Sequence, residues 1–250
     1  MRPSEAYFEA VNQAIRTIHD HQGEPVMAAA RVLADQIARG RVIHVVGTGA
    51  HSMIGAEEMF YRAGGLVPIN PIFDPGFSML FGGARSTVAE RTPGYMPGIL
   101  KQYGLEAGDA MIIVNAYGVN SATIDSALEA KRLGLTTIGV TGTDTADRLP
   151  AGHPSRHPSG KKLYETVDIF VNTYVPMGDG VIRIPGVPEQ VGPVSTYANA
   201  FALNWIMVET VTMLAERGVP PPIWQSANSP GGEEHNRDFF ARYHSLIKHL

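Results

Sequence analysis

The chain has 250 residues, 44% hydrophobic and 18% charged, with a formal net charge of −4. That is enough apolar content for one large α/β domain or two small ones, and it provides no basic surface of the kind that grips a phosphate backbone, so nucleic acid is not an expected partner. There is no cysteine, which excludes disulfides, thiolate nucleophiles and cysteine-held metal centres and leaves the chemistry to carboxylates, imidazoles and hydroxyls.

The opening MRPSEAYFEA lacks an apolar signal core, and no run approaches the roughly 20 apolar residues of a membrane span, so a soluble, cytoplasmic protein is expected. Phe8, Val11, Ile15 and Ile18 recur at helical spacing, followed by Val26, Ala30, Leu33 and Ile37 with Pro25 near the start and Gly40 past the end. These predict an N-terminal helical hairpin over 1–40. Short apolar, β-branched runs at 42–46, 66–69, 110–114, 136–140 and 167–171 read as strands, with helical patterns between most of them. The clearest of these helices is 121–133, with Asn120 as N-cap and Gly134 as stop. Alternation of this type implies an α/β fold with a mainly parallel sheet covered on both faces. The stretches 74–97 and 142–161 are too long for simple connectors and read as site loops or mobile surface. A long, nearly uncharged helix is expected over 195–217, ended by Pro220, Pro221 and Pro222, and a last helix over 238–250 after the polar segment SANSPGGEEHN. The simplest organisation is one domain over 1–250, with an α/β core at 41–217 and a C-terminal extension at 218–250.

Ligands of open α/β sheets sit beyond the carboxyl ends of strands, where helix N-termini present free N–H groups. The turn VVGTGAHS lies at such a place. It does not fit a dinucleotide, because the third glycine of GxGxxG would fall at Ser52 and the second strand ends in Asn70-Pro71 rather than an acidic residue. It suits a small anionic or polyhydroxylated ligand held by Gly47, Thr48, Gly49, His51 and Ser52; the alternative is tight strand-to-helix packing alone. On the following helix Glu57 and Glu58 point about 100° apart, so one of them can face the site as a base, or either can be a solvated charge or a partner for Arg62. A second junction, NAYGVNSAT, brings Asn115, Tyr117, Asn120 and Ser121, or is an ordinary capped turn. The loop SRHPSGKK gathers Arg156, His157 and Lys161, which would suit a carboxylate, phosphate or sulfonate, or are plain surface. His235 in GGEEHN is a candidate proton shuttle or a surface imidazole. No metal is expected, since the nine histidines include no HExxH pair and His19 and His21 face different sides of a helix.

The segments GTGAHSMIGAEEMFYRAGGLVPINPI, SALEAKRLGL, PSRHPSGKKLYE, GPVSTYANAFALN and SANSPGGEEHN, in this order and spacing, resemble the sugar isomerase (SIS) domain superfamily, and within it a small bacterial phosphosugar-binding, phosphoheptose-isomerase-like group. The resemblance implies a three-layer α/β/α sandwich with a five-stranded sheet, and a homodimer or homotetramer with a sugar-phosphate site at the subunit interface. It also implies a glutamate that shuttles a proton through a cis-enediol, and a ring-opening histidine often supplied by the neighbouring subunit. Glu57 or Glu58 would be the base, His235 or His157 would open the ring, and Ser195 and Thr196 would join the substrate-binding residues.

Two departures stand out. The serine-rich cradle SxSGxS of relatives is NAYGVN here, with both hydroxyl positions replaced; each charge-assisted bond to phosphate is worth about 1.5–3 kcal/mol, so an unphosphorylated or sulfonated sugar comes into consideration. The helix histidines of the zinc-using sedoheptulose 7-phosphate isomerases have no counterpart around Glu58 or over 200–204. The expected function is aldose-ketose isomerisation of a small sugar or anionic sugar derivative without a cofactor. A non-catalytic phosphosugar-binding regulator and a sugar-phosphate lyase or etherase are the alternatives.

Overall fold

The computed structural model describes residues 2–250. Helices α1 (Pro3–His21) and α2 (Gly23–Ala38) meet at Gln22 and precede the first strand. They differ in depth: α1 buries Ile18, whereas α2 buries Val26, Ala29, Ala30, Leu33 and Ile37 along one face. The chain continues through β1 (Ile43–Gly47), α3 (Ala50–Met59), β2 (Ile69–Ile72), α4 (Gly83–Arg91), α5 (Tyr95–Leu100), β3 (Ala110–Val114), α6 (Ser121–Arg132), β4 (Thr136–Thr141), α7 (Asp144–Arg148), α8 (Leu163–Thr166) and β5 (Ile169–Asn172). A hairpin of β6 (Gly180–Ile182) and β7 (Val191–Pro193) then leads into α9 (Ser195–Glu216), and α10 (Gly232–Tyr243) follows.

The five main strands form one parallel sheet in the order β2-β1-β3-β4-β5. β1 and β3 are fully buried, as a sheet covered on both faces requires. One apolar layer joins the sheet to α2 and α9 through Leu33, Leu203, Ile206 and Leu214; the other joins it to α5 and α6 through Met96, Leu100, Ile124 and Ala127. This is a three-layer α/β/α sandwich. Because the chain passes from β1 to β2 on one side and returns to β3 on the other, the strand order reverses between β1 and β3. Among the described residues no helix is long and apolar enough to cross a membrane.

Several boundaries differ from the sequence reading. Strand β2 starts at Ile69, not residue 66, because Val67 N donates to Pro222 O and Leu66 bridges Ile223, so these two residues pair with the C-terminal extension. β5 starts at Ile169 because Val167 N closes the turn of α8 and Asp168 is tied to Thr137. GGEEHN is not a loop: after Gly231 at φ +79 it forms the first turn of α10, where Glu233 and Glu234 favour the positive end of the helix dipole. The 74–97 stretch holds α4 and the start of α5, and the β6–β7 hairpin has no counterpart in the strand pattern read from the sequence.

Candidate functional site

β1 and β3 are neighbours in register from Ile43↔Ala110 to Gly47↔Val114, so the turns that follow them lie side by side at the carboxyl edge, where the strand order reverses. Open parallel sheets bind ligands at this position. Asn115 holds the two turns together: its Nδ2 donates to Thr48 O at 2.7 Å, and its Oδ1 accepts from Tyr117 N at 2.9 Å and Gly118 N at 2.8 Å. Thr48, fully buried, places its Oγ1 2.6 Å from Thr123 Oγ1 on α6. Gly49 turns the chain into α3 at φ +132, a conformation that favours glycine.

A cavity of about 220 Å³ opens above these turns. Its floor is Gly49, Ala50, His51 and Ser52 at the start of α3, one wall is Asn115 to Tyr117 with Asn120, another is Ser86, Thr87 and Glu90 of α4, and Asp179 and Ser195 close it. Glu90 reaches over the β1 turn: a Cβ on Gly49 would lie 2.4 Å from Glu90 Oε2. Burial pushes the Glu90 carboxyl up to about 7, against the opposing pull of Arg91 and of a hydrogen bond from Asn120. Burial, and then the negative charges of Asp179 and Glu90, push the Tyr117 phenol up to about 12, so it stays protonated and able to donate. Ser86 is 1% exposed and its hydroxyl has no partner within the protein. The first α3 amide with an intrahelical acceptor is Met53 N, bonded to Gly49 O; the amides of Ala50, His51 and Ser52 precede it, in the position from which a helix N-terminus stabilises negative charge.

Of the residues singled out in the sequence, Gly49, His51, Ser52, Asn115, Tyr117, Asn120 and Ser195 line this cavity. Gly47 and Thr48 lie behind it; a Cβ on Gly47 would fall 2.1 Å from Ser52 O. Ser121 is buried in the first turn of α6, and Thr196 and Lys161 are exposed. Glu57 is exposed, while Glu58 accepts from Asn204 Nδ2 at 2.9 Å and pairs with Arg62 at 2.9 Å. His157 lies outside the cavity, its ring between Asp125 Oδ1 at 3.2 Å and Ser159 Oγ at 2.7 Å. The Arg156 guanidinium donates to the carbonyls of Ala146, Leu149 and Pro150. His235 sits on α10, its Nε2–H donating to Ile223 O at 3.0 Å and its ring against Phe239. Among the described residues no group of three or more metal-ligating side chains is assembled.

Glu90, Ser86, Thr87 and Asp179 were not found by sequence reasoning. A signal for the α4 residues exists: Ser86, Ala89 and Glu90 fall at i, i+3 and i+4, the spacing of one helix face turned inward. The glycines and prolines around them hide it. Asp179 carries no local signal, because its position depends on the hairpin that brings it to α9.

The sequence model of the SIS domain matches residues 6–142, a span that includes Glu90 and both turns. A UPF0309 protein from Geobacillus thermodenitrificans is 34% identical over 241 residues, covering 96% of this chain and 95% of that protein. A second, from Halalkalibacterium halodurans, is 34% identical over 242 residues, with 97% and 95% covered. Among solved structures, a phosphoheptose isomerase from Neisseria gonorrhoeae superposes with a TM-score of 0.54 at 15% identity, covering 85% of this chain and 97% of that one. A phosphoheptose isomerase from Francisella tularensis gives 0.51 at 16% identity, covering 83% and 96%. At these identities the structural likeness is one of fold.

Proposed function

The chain belongs to the SIS domain family, and from that premise we propose that it is an aldose-ketose isomerase for a small sugar, with Glu90 as the proton-transferring base. The observation that carries this reading is the Glu90 carboxyl, raised to about 7 and held over Gly49 inside a cavity at the strand-order reversal. A base tuned near the operating pH is ionised in a useful fraction of molecules and still basic enough to take a carbon-bound proton. Glu57 and Glu58 do not line the cavity: the first is exposed and the second is engaged by Asn204 and Arg62.

In this scheme the Glu90 carboxylate removes the proton from the carbon beside the sugar carbonyl. The electron pair of the broken C–H bond forms the carbon-carbon double bond of a cis-enediolate, and the carbonyl oxygen takes up the negative charge. The unpaired amides at the start of α3 stabilise that oxygen, and the Tyr117 phenol, protonated throughout the neutral range, donates to the enediolate. His51 is the imidazole that lines the cavity and carries the hydroxyl proton between the two oxygens. Glu90 then returns its proton to the neighbouring carbon, which completes the exchange of aldose for ketose. Two structural relatives bear the name phosphoheptose isomerase, which supports the same reaction class here.

Glu90→Gln keeps the shape and removes the base. It is expected to lower turnover on a convertible sugar by about 10²–10⁴-fold with binding retained, read by NMR of the aldose and ketose signals. A protein that binds sugars and turns none over under any condition would be a ligand-sensing member of the family instead. We also propose a homo-oligomer: Met79, Leu80, Phe81 and Val88, exposed at 51%, 92%, 56% and 67%, form an apolar strip on the segment that carries Glu90.

A further inference from the structure

An anionic sugar collects its donors from cations, free amide N–H groups and hydroxyls, and in this cavity cations are scarce and the free amides are those at the start of α3. The charged residues of the cavity are Glu90 and Asp179, with His51 as the one basic side chain, and no lysine or arginine lines it among the described residues. Off the cavity lining, Arg156 is committed to main-chain carbonyls, Lys162 to Asp147 and Arg62 to Glu58, while Arg91, next to Glu90 on α4, acts on the Glu90 carboxyl.

Two places where backbone amides converge are filled by the protein's own oxygens. At the β3 turn, the amides of Tyr117 and Gly118 point at Asn115 Oδ1, at 2.9 and 2.8 Å. At the start of the 22-residue helix α9, Asp179 Oδ1 accepts from Val194 N at 2.9 Å and Ser195 N at 2.8 Å, and its Oδ2 accepts from Ser195 Oγ at 2.6 Å. Asp179 does so at φ +65, a left-handed conformation uncommon outside glycine. A side chain kept in such a conformation by three hydrogen bonds is fixed in place. Its carboxylate stands where a ligand anion would otherwise collect the same donors. Glu90 lies over the third converging set, the start of α3, and when ionised it repels a further anion there.

The remaining polar lining is neutral and both donates and accepts: Ser52, Ser86, Thr87, Tyr117 and Asn120. Ser86, buried and without a protein partner, leaves a hydroxyl free for a ligand. Hydroxyls and amides that play both roles can pair with a sugar's hydroxyls in both directions, whereas a phosphate would use only their donating side.

We infer that this site takes a sugar with no phosphate, sulfonate or carboxylate on the end held in the cavity, and that Asp179 is a specificity-determining residue that keeps anions out. The inference rests on the cavity being the sugar site proposed above. After proton abstraction Glu90 is neutral, so the charge of the enediolate replaces the carboxylate charge and is not added to it.

The test is isothermal titration of the full chain with D-ribose, D-fructose and D-sedoheptulose, each beside its terminal phosphate ester, and with inorganic phosphate. At least one free sugar is expected to bind at least tenfold tighter than its ester, and inorganic phosphate is expected not to compete. Asp179→Asn, which keeps the outline and drops the charge, is expected to reduce that preference at least tenfold. Asp179→Gly, suited to the left-handed backbone, is the second variant, and thermal melting checks that both fold. Tighter binding of the esters by the unaltered protein overturns the inference while leaving the sugar-site reading in place. A preference unchanged in both folded variants overturns the role of Asp179. Binding of no sugar at all, free or esterified, overturns the inference and the reading beneath it together.

Discussion

A carboxyl that titrates near 7 leaves a mark on stability as well as on rate. Burial raises Glu90 from its ordinary value of 4.5 to about 7, so between those pH values the folded protein holds a proton that the unfolded chain releases. Stability therefore falls as pH rises through that window, and the cost is complete above about 7. Removing the titration with Glu90→Gln is expected to raise stability at pH 8 relative to pH 5, by about 1–3 kcal/mol at one to two pKa units. Melting temperatures of both proteins at the two pH values measure this; a parallel pH dependence would place Glu90 in water. The same ionisation gives turnover an acid limb near pH 7, because the base works only when deprotonated. At this scale the sequence showed that glutamates, histidines and two polar turns were present. It did not show which of them meet, since Glu58 and Glu90 differ in their surroundings and not in their chemistry.

Two strand-to-helix turns make the floor and one wall of the cavity, and the Asn115 side chain ties one to the other. Asn115 donates to the β1 turn and accepts from two amides of its own, while being 4% exposed. Asn115→Ala leaves Thr48 O, Tyr117 N and Gly118 N without that partner and is expected to cost about 2–4 kcal/mol, summing a few buried groups at 1–3 kcal/mol each with partial relief by water. The shift of the urea unfolding midpoint measures it, and a loss under about 0.5 kcal/mol, the ordinary effect of a surface change, would contradict the clamp. The strands and α6 were legible because buried parallel strands are continuous apolar runs and α6 has a clear cap and stop. Strand β3 spans 110–114 and α6 ends within one residue of the pattern. The α4 segment was not legible, because Gly82, Gly83, Pro93, Gly94 and Pro97 punctuate it as a loop would be punctuated, and its two short helices are held by packing rather than by propensity. The start of α10 was missed for a related reason: an acidic, glycine-led segment is as good a helix N-terminus as it is a polar loop.

For the molecule as a whole, strand order does what no single motif could. The sequence pattern predicted five strand runs in a mainly parallel sheet, but the crevice depends on β1 lying between β2 and β3, and the order of strands in the sheet is not written in their periodicity. The apolar strip at Met79 to Phe81 and Val88 belongs to this scale too. Sedimentation is expected to show an oligomer whose mass is a multiple of 26.9 kDa, and Leu80→Asp, at the most exposed of these positions, is expected to shift it toward the monomer. A monomer in the unaltered protein would mean that the strip is surface. The most direct test of the central claim is deuterium uptake from heavy water into a panel of sugars, read by mass spectrometry. It detects removal of the carbon-bound proton whether or not the ketose accumulates. The account predicts uptake with the unaltered protein, with Glu57→Gln and with Glu58→Gln, and none with Glu90→Gln. Uptake that survives Glu90→Gln and disappears with Glu57→Gln or Glu58→Gln would contradict it.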